Sequence, residues 1–165
     1  MKPKPDTKPK LGLAALLGAS LAGLVLVSGC SANPLLINNE APGLELESLE
    51  LENSVASARL LVHNRNDETL FIESASLSLE LEDSELFSDS WPLRLDIGSR
   101  GRENVRLQSR ASDRGAARLG ALDRGEAASV AYRLLGELVL SNQSNVKVEQ
   151  RGFLHPVPGQ PGRYR

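Results

Sequence analysis

Ala75-Ser-Leu-Ser-Leu-Glu-Leu81 places an apolar residue at every second position. That period of two marks a strand with one buried face. The same period recurs on both sides. Leu70 and Ile72 flank Phe71, and Ala58, Leu60 and Val62 alternate with Ser57, Arg59 and Leu61. Leu44 and Leu46, then Leu49 and Leu51, alternate with acids, and the phase slips at Ser48 as at a β-bulge. Towards the C-terminus, Leu93, Leu95 and Ile97 alternate with Arg94 and Asp96. Val105 and Leu107 follow after Gly98-Ser-Arg-Gly101. Val130, Tyr132 and Leu134 continue past Gly136 to Leu138 and Leu140, and Val146 and Val148 open a last strand ending near Phe153. Leu forms strands less readily than Val or Ile, so Leu44–Leu51 and Leu77–Leu81 also admit a helical reading. Strict alternation favours strand. Seven or eight short runs separated by turn residues predict an all-β, antiparallel two-sheet sandwich.

One stretch breaks this pattern. Arg110–Leu122 is Ala-rich, with Ala111, Leu119 and Leu122 able to share a face, and predicts a short helix. Gly115 and Gly120 each weaken such a helix by about 1 kcal/mol, and Gly125 suits its exit.

Composition narrows the function classes. In 165 residues, 19 basic against 21 acidic side chains do not suggest a nucleic-acid binder. Aromatics at 4% argue against stacking platforms. A single Cys excludes an intramolecular disulfide and a multi-Cys zinc site.

The first 29 residues differ from the rest. Lys2, Lys4, Lys8 and Lys10 precede an uncharged run from Leu11 to Val27, the pattern of a secretory signal. Val27-Ser28-Gly29-Cys30 resembles the bacterial lipoprotein box, an aliphatic residue and two small ones before Cys. The resemblance implies cleavage between Gly29 and Cys30 and acylation of Cys30, which would anchor the chain in a membrane through acyl chains. Ser31, rather than Asp, follows the Cys and resembles an outer-membrane address facing the periplasm. Residues 30–43, rich in Asn, Pro and small side chains, read as a tether, and residues 155–165, with three Pro and two Gly, as a loose tail. The expected folded domain is residues 44–154, a monomer without a cofactor.

Removing residues 1–29 leaves 15 basic and 20 acidic residues, net -5. Charge is also segregated, with residues 44–89 at net -10 and residues 94–124 at net +4. Arg110, Arg114 and Arg118, spaced i, i+4, i+8, would share a helix face able to meet anionic headgroups or an acidic partner.

The segment Leu60-Leu-Val-His-Asn64-Arg-Asn66-Asp-Glu-Thr-Leu70 resembles the Asn-Pro-Asn turn of the late embryogenesis abundant group 2 family. That family is also called the water stress and hypersensitive response (WHy) domain. Asn suits such a turn because it tolerates positive φ and its side chain bonds the turn backbone. Arg65 stands where the family has Pro. Asp83–Phe87 resembles the family's turn after its long strand, and Arg110–Leu122 its short helix. The stretches around Tyr132 and Gly136, and around Gly152, resemble its strand with Tyr and Gly and its closing strand. The resemblance spans Leu44 to Leu154. It implies a small immunoglobulin- or fibronectin type III-like sandwich with one helix between late strands, and a role in desiccation or stress tolerance.

Chemistry for catalysis is sparse. His63 and His155 are far apart in sequence and next to no metal-ligand partners, Gly98–Gly101 lacks the Lys and length of a phosphate loop, and no catalytic or metal residue is assigned. A non-enzymatic envelope protein is the expectation. The alternative is a binding module that recruits an envelope protein or anionic lipid through an edge strand or the Arg face.

Overall fold

The computed structural model describes residues 40–141 and 145–165. The segment expected to be a secretory signal, with Val27, Ser28, Gly29 and Cys30, lies outside the described residues. Eight strands and one helix follow in order: β1 (Gly43–Glu52), β2 (Val55–His63), β3 (Leu70–Leu81), β4 (Ser84–Ile97), β5 (Arg102–Arg110), α1 (Asp113–Asp123), β6 (Val130–Leu140), β7 (Val146–Leu154) and β8 (Arg163–Tyr164). They form two antiparallel sheets, ordered β5-β2-β1-β8 and β4-β3-β6-β7, with the alternating apolar residues facing each other between them. The fold is the all-β sandwich that the alternation predicts. Fully buried leucines such as Leu49, Leu79, Leu81 and Leu134 fill the interior, so burial rather than strand propensity holds these Leu-rich segments extended.

The phase slip in β1 is a bulge. Pairing with β2 shifts between Leu46 and Ser48, which lets Leu46 and Leu49 both face the core. A two-residue turn at Asn53 and Ser54, both at positive φ, joins β1 to β2. β4 departs from expectation. Asp83–Phe87 is not all turn, because Ser84 already pairs with Leu81 and the strand runs on to Ile97. Bulges hide its periodicity. One inserts Leu86, so that Leu86 and Phe87 are consecutive yet both buried; another falls beside Arg94, whose φ is 51°.

The helix is shorter than expected and starts at Asp113. Ser112 caps it, its hydroxyl accepting from the Gly115 amide at 3.1 Å and donating to the Glu85 carbonyl. At the exit, the Gly125 and Glu126 amides donate to Leu122 and Ala121, and Gly125 has φ 71°. Leu119 and Leu122 enter the core, while Ala111 is buried ahead of the helix.

The segment expected to be a loose tail is built in. Residues 155–165 fold back on themselves, with His155 and Arg165 exchanging backbone hydrogen bonds, and β8 then pairs with Leu49 and Glu50 of β1. Tyr164 is only 1% exposed. Its hydroxyl donates to the Asp123 carboxylate at 2.7 Å, tying the C-terminus to the end of α1. Pro and Gly at 156–162 shape the return of the chain, and one buried aromatic ring outweighs their freedom.

Candidate functional site

The topology gives the sandwich two ends. At one lie the start of β1, the β2–β3 and β4–β5 connections and the end of β6; at the other lie α1 and the C-terminal segment. His63 belongs to the first end and His155 to the second, where its Nδ1 lies 3.3 Å from the Ala128 carbonyl. The two imidazoles therefore do not meet. Among the described residues, no three His, Cys, Asp or Glu side chains gather as a metal site would need.

The first end is organised by Asn64 and Asn66. The Asn64 side chain is fully buried, and its amide donates to the carbonyls of Glu68 (2.7 Å), Gly98 (2.9 Å) and Ile97 (3.1 Å). Its oxygen accepts from the Asn66 amide at 2.9 Å. This one side chain thus binds the β2–β3 connection to the β4–β5 connection. β2 and β3 lie in different sheets, so the turn is a crossing and not a hairpin. Neither Asn64 nor Asn66 has positive φ; the side-chain bonds are what require Asn. Asn66 clamps the incoming chain, donating to the Glu40 carbonyl at 3.0 Å and accepting from its amide at 2.8 Å. Outside the clamp, Arg100 pairs with Asp67 at 2.8 Å, and its guanidinium holds the Asp67 carboxyl below its ordinary pKa.

Tyr132, Gly136 and Gly152 pack against one another's strands. A Cβ on Gly136 would collide with the Ser76 carbonyl oxygen and approach Leu77 Cδ2 to 2.5 Å, so only Gly lets β3 and β6 pair there. Gly152 stands opposite Tyr132, and its missing side chain makes room for the ring; a Cβ would lie 2.7 Å from Tyr132 Cε1. Burial raises the Tyr132 phenol pKa, with Glu45 adding to it. Beyond this pair, Phe153 is 64% exposed on the outer side of β7.

The three arginines expected on one helix face are split. Arg110 is the last residue of β5, and only Arg114 and Arg118 lie on α1. Arg118 pairs with Glu82 at 3.2 Å. Arg110 instead continues the outward side of β5, where Arg102, Asn104, Arg106 and Gln108 precede it. Sequence spacing alone suggested the helix; the period of two in this stretch was the signal for the strand.

No family model matches the sequence, and no curated protein matches it. Among solved structures the chain resembles a putative late embryogenesis abundant (LEA) protein, with a TM-score of 0.50 and 11% identity over 76% of this chain and 75% of that one. It is also similar to a protein from Arabidopsis thaliana, with a TM-score of 0.48 and 11% identity over 77% of this chain and 93% of that one. A protein from Archaeoglobus fulgidus gives a TM-score of 0.44 and 7% identity over 72% of this chain and 97% of that one. The likeness to the putative LEA protein is one of fold: the chain has the LEA-type all-β fold that its sequence resemblance implied.

Proposed function

We propose that this is a lipid-anchored cell-envelope protein of the water-stress type, acting without catalysis to protect neighbouring proteins or membranes during drying. The fold shared with the putative LEA protein carries the reading. The lipoprotein-box resemblance at Val27–Cys30 supplies the anchor, and Asn66 grips Glu40 so that residues 30–39 alone separate anchor from clamp. The acyl chains hold the domain at the envelope, and its polar outer surface faces the molecules it protects. Labelled palmitate is expected in the native protein and not in Cys30→Ala; label retained in that variant removes the anchor. A deletion strain is expected to survive drying less well than its parent, and complementation with Cys30→Ala should not restore it. Equal survival of the deletion strain and its parent would refute the protective role.

A further inference from the structure

We propose that the outer face of the β5-β2 half of the first sheet, through Arg59, Arg102, Arg106 and Arg110, docks on an anionic phospholipid surface. Every outward side chain of β5 is Arg or a side-chain amide, so this strand presents an unbroken column of donors. Arg106 stands directly opposite Arg59 on β2, a like-charge pairing that disfavours the sheet. Among the described residues, Arg100, Arg118, Arg124, Arg133, Arg151 and Arg163 each have a carboxylate partner. These four do not, nor do Arg65, Arg94, Arg114, Lys147 and Arg165, but those five are spread over the β2–β3 connection, β4, α1, β7 and the C-terminus and form no common column. Four cations without carboxylate partners, concentrated at some local cost on one face, point to an external anion.

The spacing selects the kind of anion. Successive arginines on β5 are four residues apart, about 13 Å, so the column spans about 26 Å and suits an extended charged surface better than one small ion. The placement selects the surface. Gly43, His63 and Arg102 share one row across β1, β2 and β5, so the chain coming from Cys30 arrives at the end of the basic column. Arg65 lies over Gly43 there. A membrane anchor would thus deliver the column to headgroups, a step that rests on the lipid-anchored reading. Glu45, Glu50 and Glu52 on β1 lie on the same face, two strands or about 10 Å from β5. They prevent flat contact and tip the sandwich onto its β5 side. A second copy could set its acidic column against the basic one. That contact would cover only about 10 by 30 Å, well below the roughly 800 Å² per partner of a stable interface, and would stack Arg59 on its own copy.

The test uses the unacylated chain from Pro34, a compact unit holding the whole sandwich, sedimented with vesicles. Binding is expected to phosphatidylcholine vesicles containing phosphatidylglycerol, not to phosphatidylcholine alone, and is lost near 1 M salt, where screening acts within about 3 Å. Changing Arg59, Arg102 and Arg106 together to Gln should weaken binding by about tenfold or more. A melting temperature at or above the parent's would show that this variant is folded. Arg114→Gln with Arg118→Gln should leave binding unchanged, and Glu45, Glu50 and Glu52 changed to Gln should strengthen it. Equal binding to neutral vesicles, no vesicle binding, or full binding by the Arg-to-Gln variant would each overturn the proposal. So would a concentration-dependent dimer lost when the three Glu are neutralised, which would assign the face to a second copy. Because the chain tested is unacylated, failure here leaves Cys30 acylation to stand or fall on palmitate labelling.

Discussion

Asn64 shows how one side chain can hold a fold together. Three carbonyls from two connections converge on one amide in a site closed to water. Removing the donor leaves buried acceptors with no replacement, so Asn64→Ala is expected to cost about 2–3 kcal/mol in urea unfolding. Asn64→Asp should be at least as damaging, because a carboxylate accepts where the site needs a donor. If Asn64→Asp unfolds at the parent's midpoint, the amide is not the link described. The residue was visible in the sequence by its resemblance to a family turn. Its partners were not, since Ile97 and Gly98 are more than 30 residues away.

Propensity and packing give opposite answers at the two glycines of α1. Intrinsic helix preference makes both Gly→Ala changes favourable by about 1 kcal/mol. A Cβ on Gly115 would lie 2.6 Å from Leu86 Cα and 2.9 Å from the Glu85 carbonyl, where the helix rests on β4 backbone. Gly115→Ala should therefore destabilise, by about 1–3 kcal/mol. At Gly120 the only close atom is Arg124 Nη1 at 3.0 Å, the end of a flexible side chain, so Gly120→Ala should stabilise by about 0.5–1 kcal/mol. Thermal unfolding of the two variants measures both signs. β4 teaches the same lesson. Its strand was half legible because bulges at Leu86 and Arg94 interrupt the alternation that a sequence reading depends on.

Across the whole molecule, the C-terminal return joins β1, α1 and the end of β7. Tyr164→Ala is expected to cost about 3–5 kcal/mol, as for other buried aromatics. It should also expose residues 155–165 to proteolysis before the rest of the chain is cut. Burial, then the hydrogen bond to Asp123 and its charge, raise the Tyr164 pKa well above the ordinary value. Its stabilisation is complete below the unfolded tyrosine pKa of about 10 and declines as pH rises beyond it, because the unfolded phenol ionises while the folded one stays protonated. Melting temperatures between pH 8 and 11 should fall more steeply for the native chain than for Tyr164→Phe, which starts lower and stays flatter. Parallel curves would contradict this coupling. The sequence by itself determined the sandwich, the bulge at Ser48 and the short helix, because alternation and helical spacing are properties of neighbouring residues; the Asn64–Asn66 turn was legible only by its resemblance to a family turn, its main bonds being long-range. Only the tertiary structure decided that Arg110 joins Arg102, Arg106 and Arg59 rather than Arg114 and Arg118, and that the Pro- and Gly-rich end folds back and closes with the short strand β8. Both outcomes depend on which distant segments pair, and burial of Tyr164 and the register of β5 against β2 set that pairing.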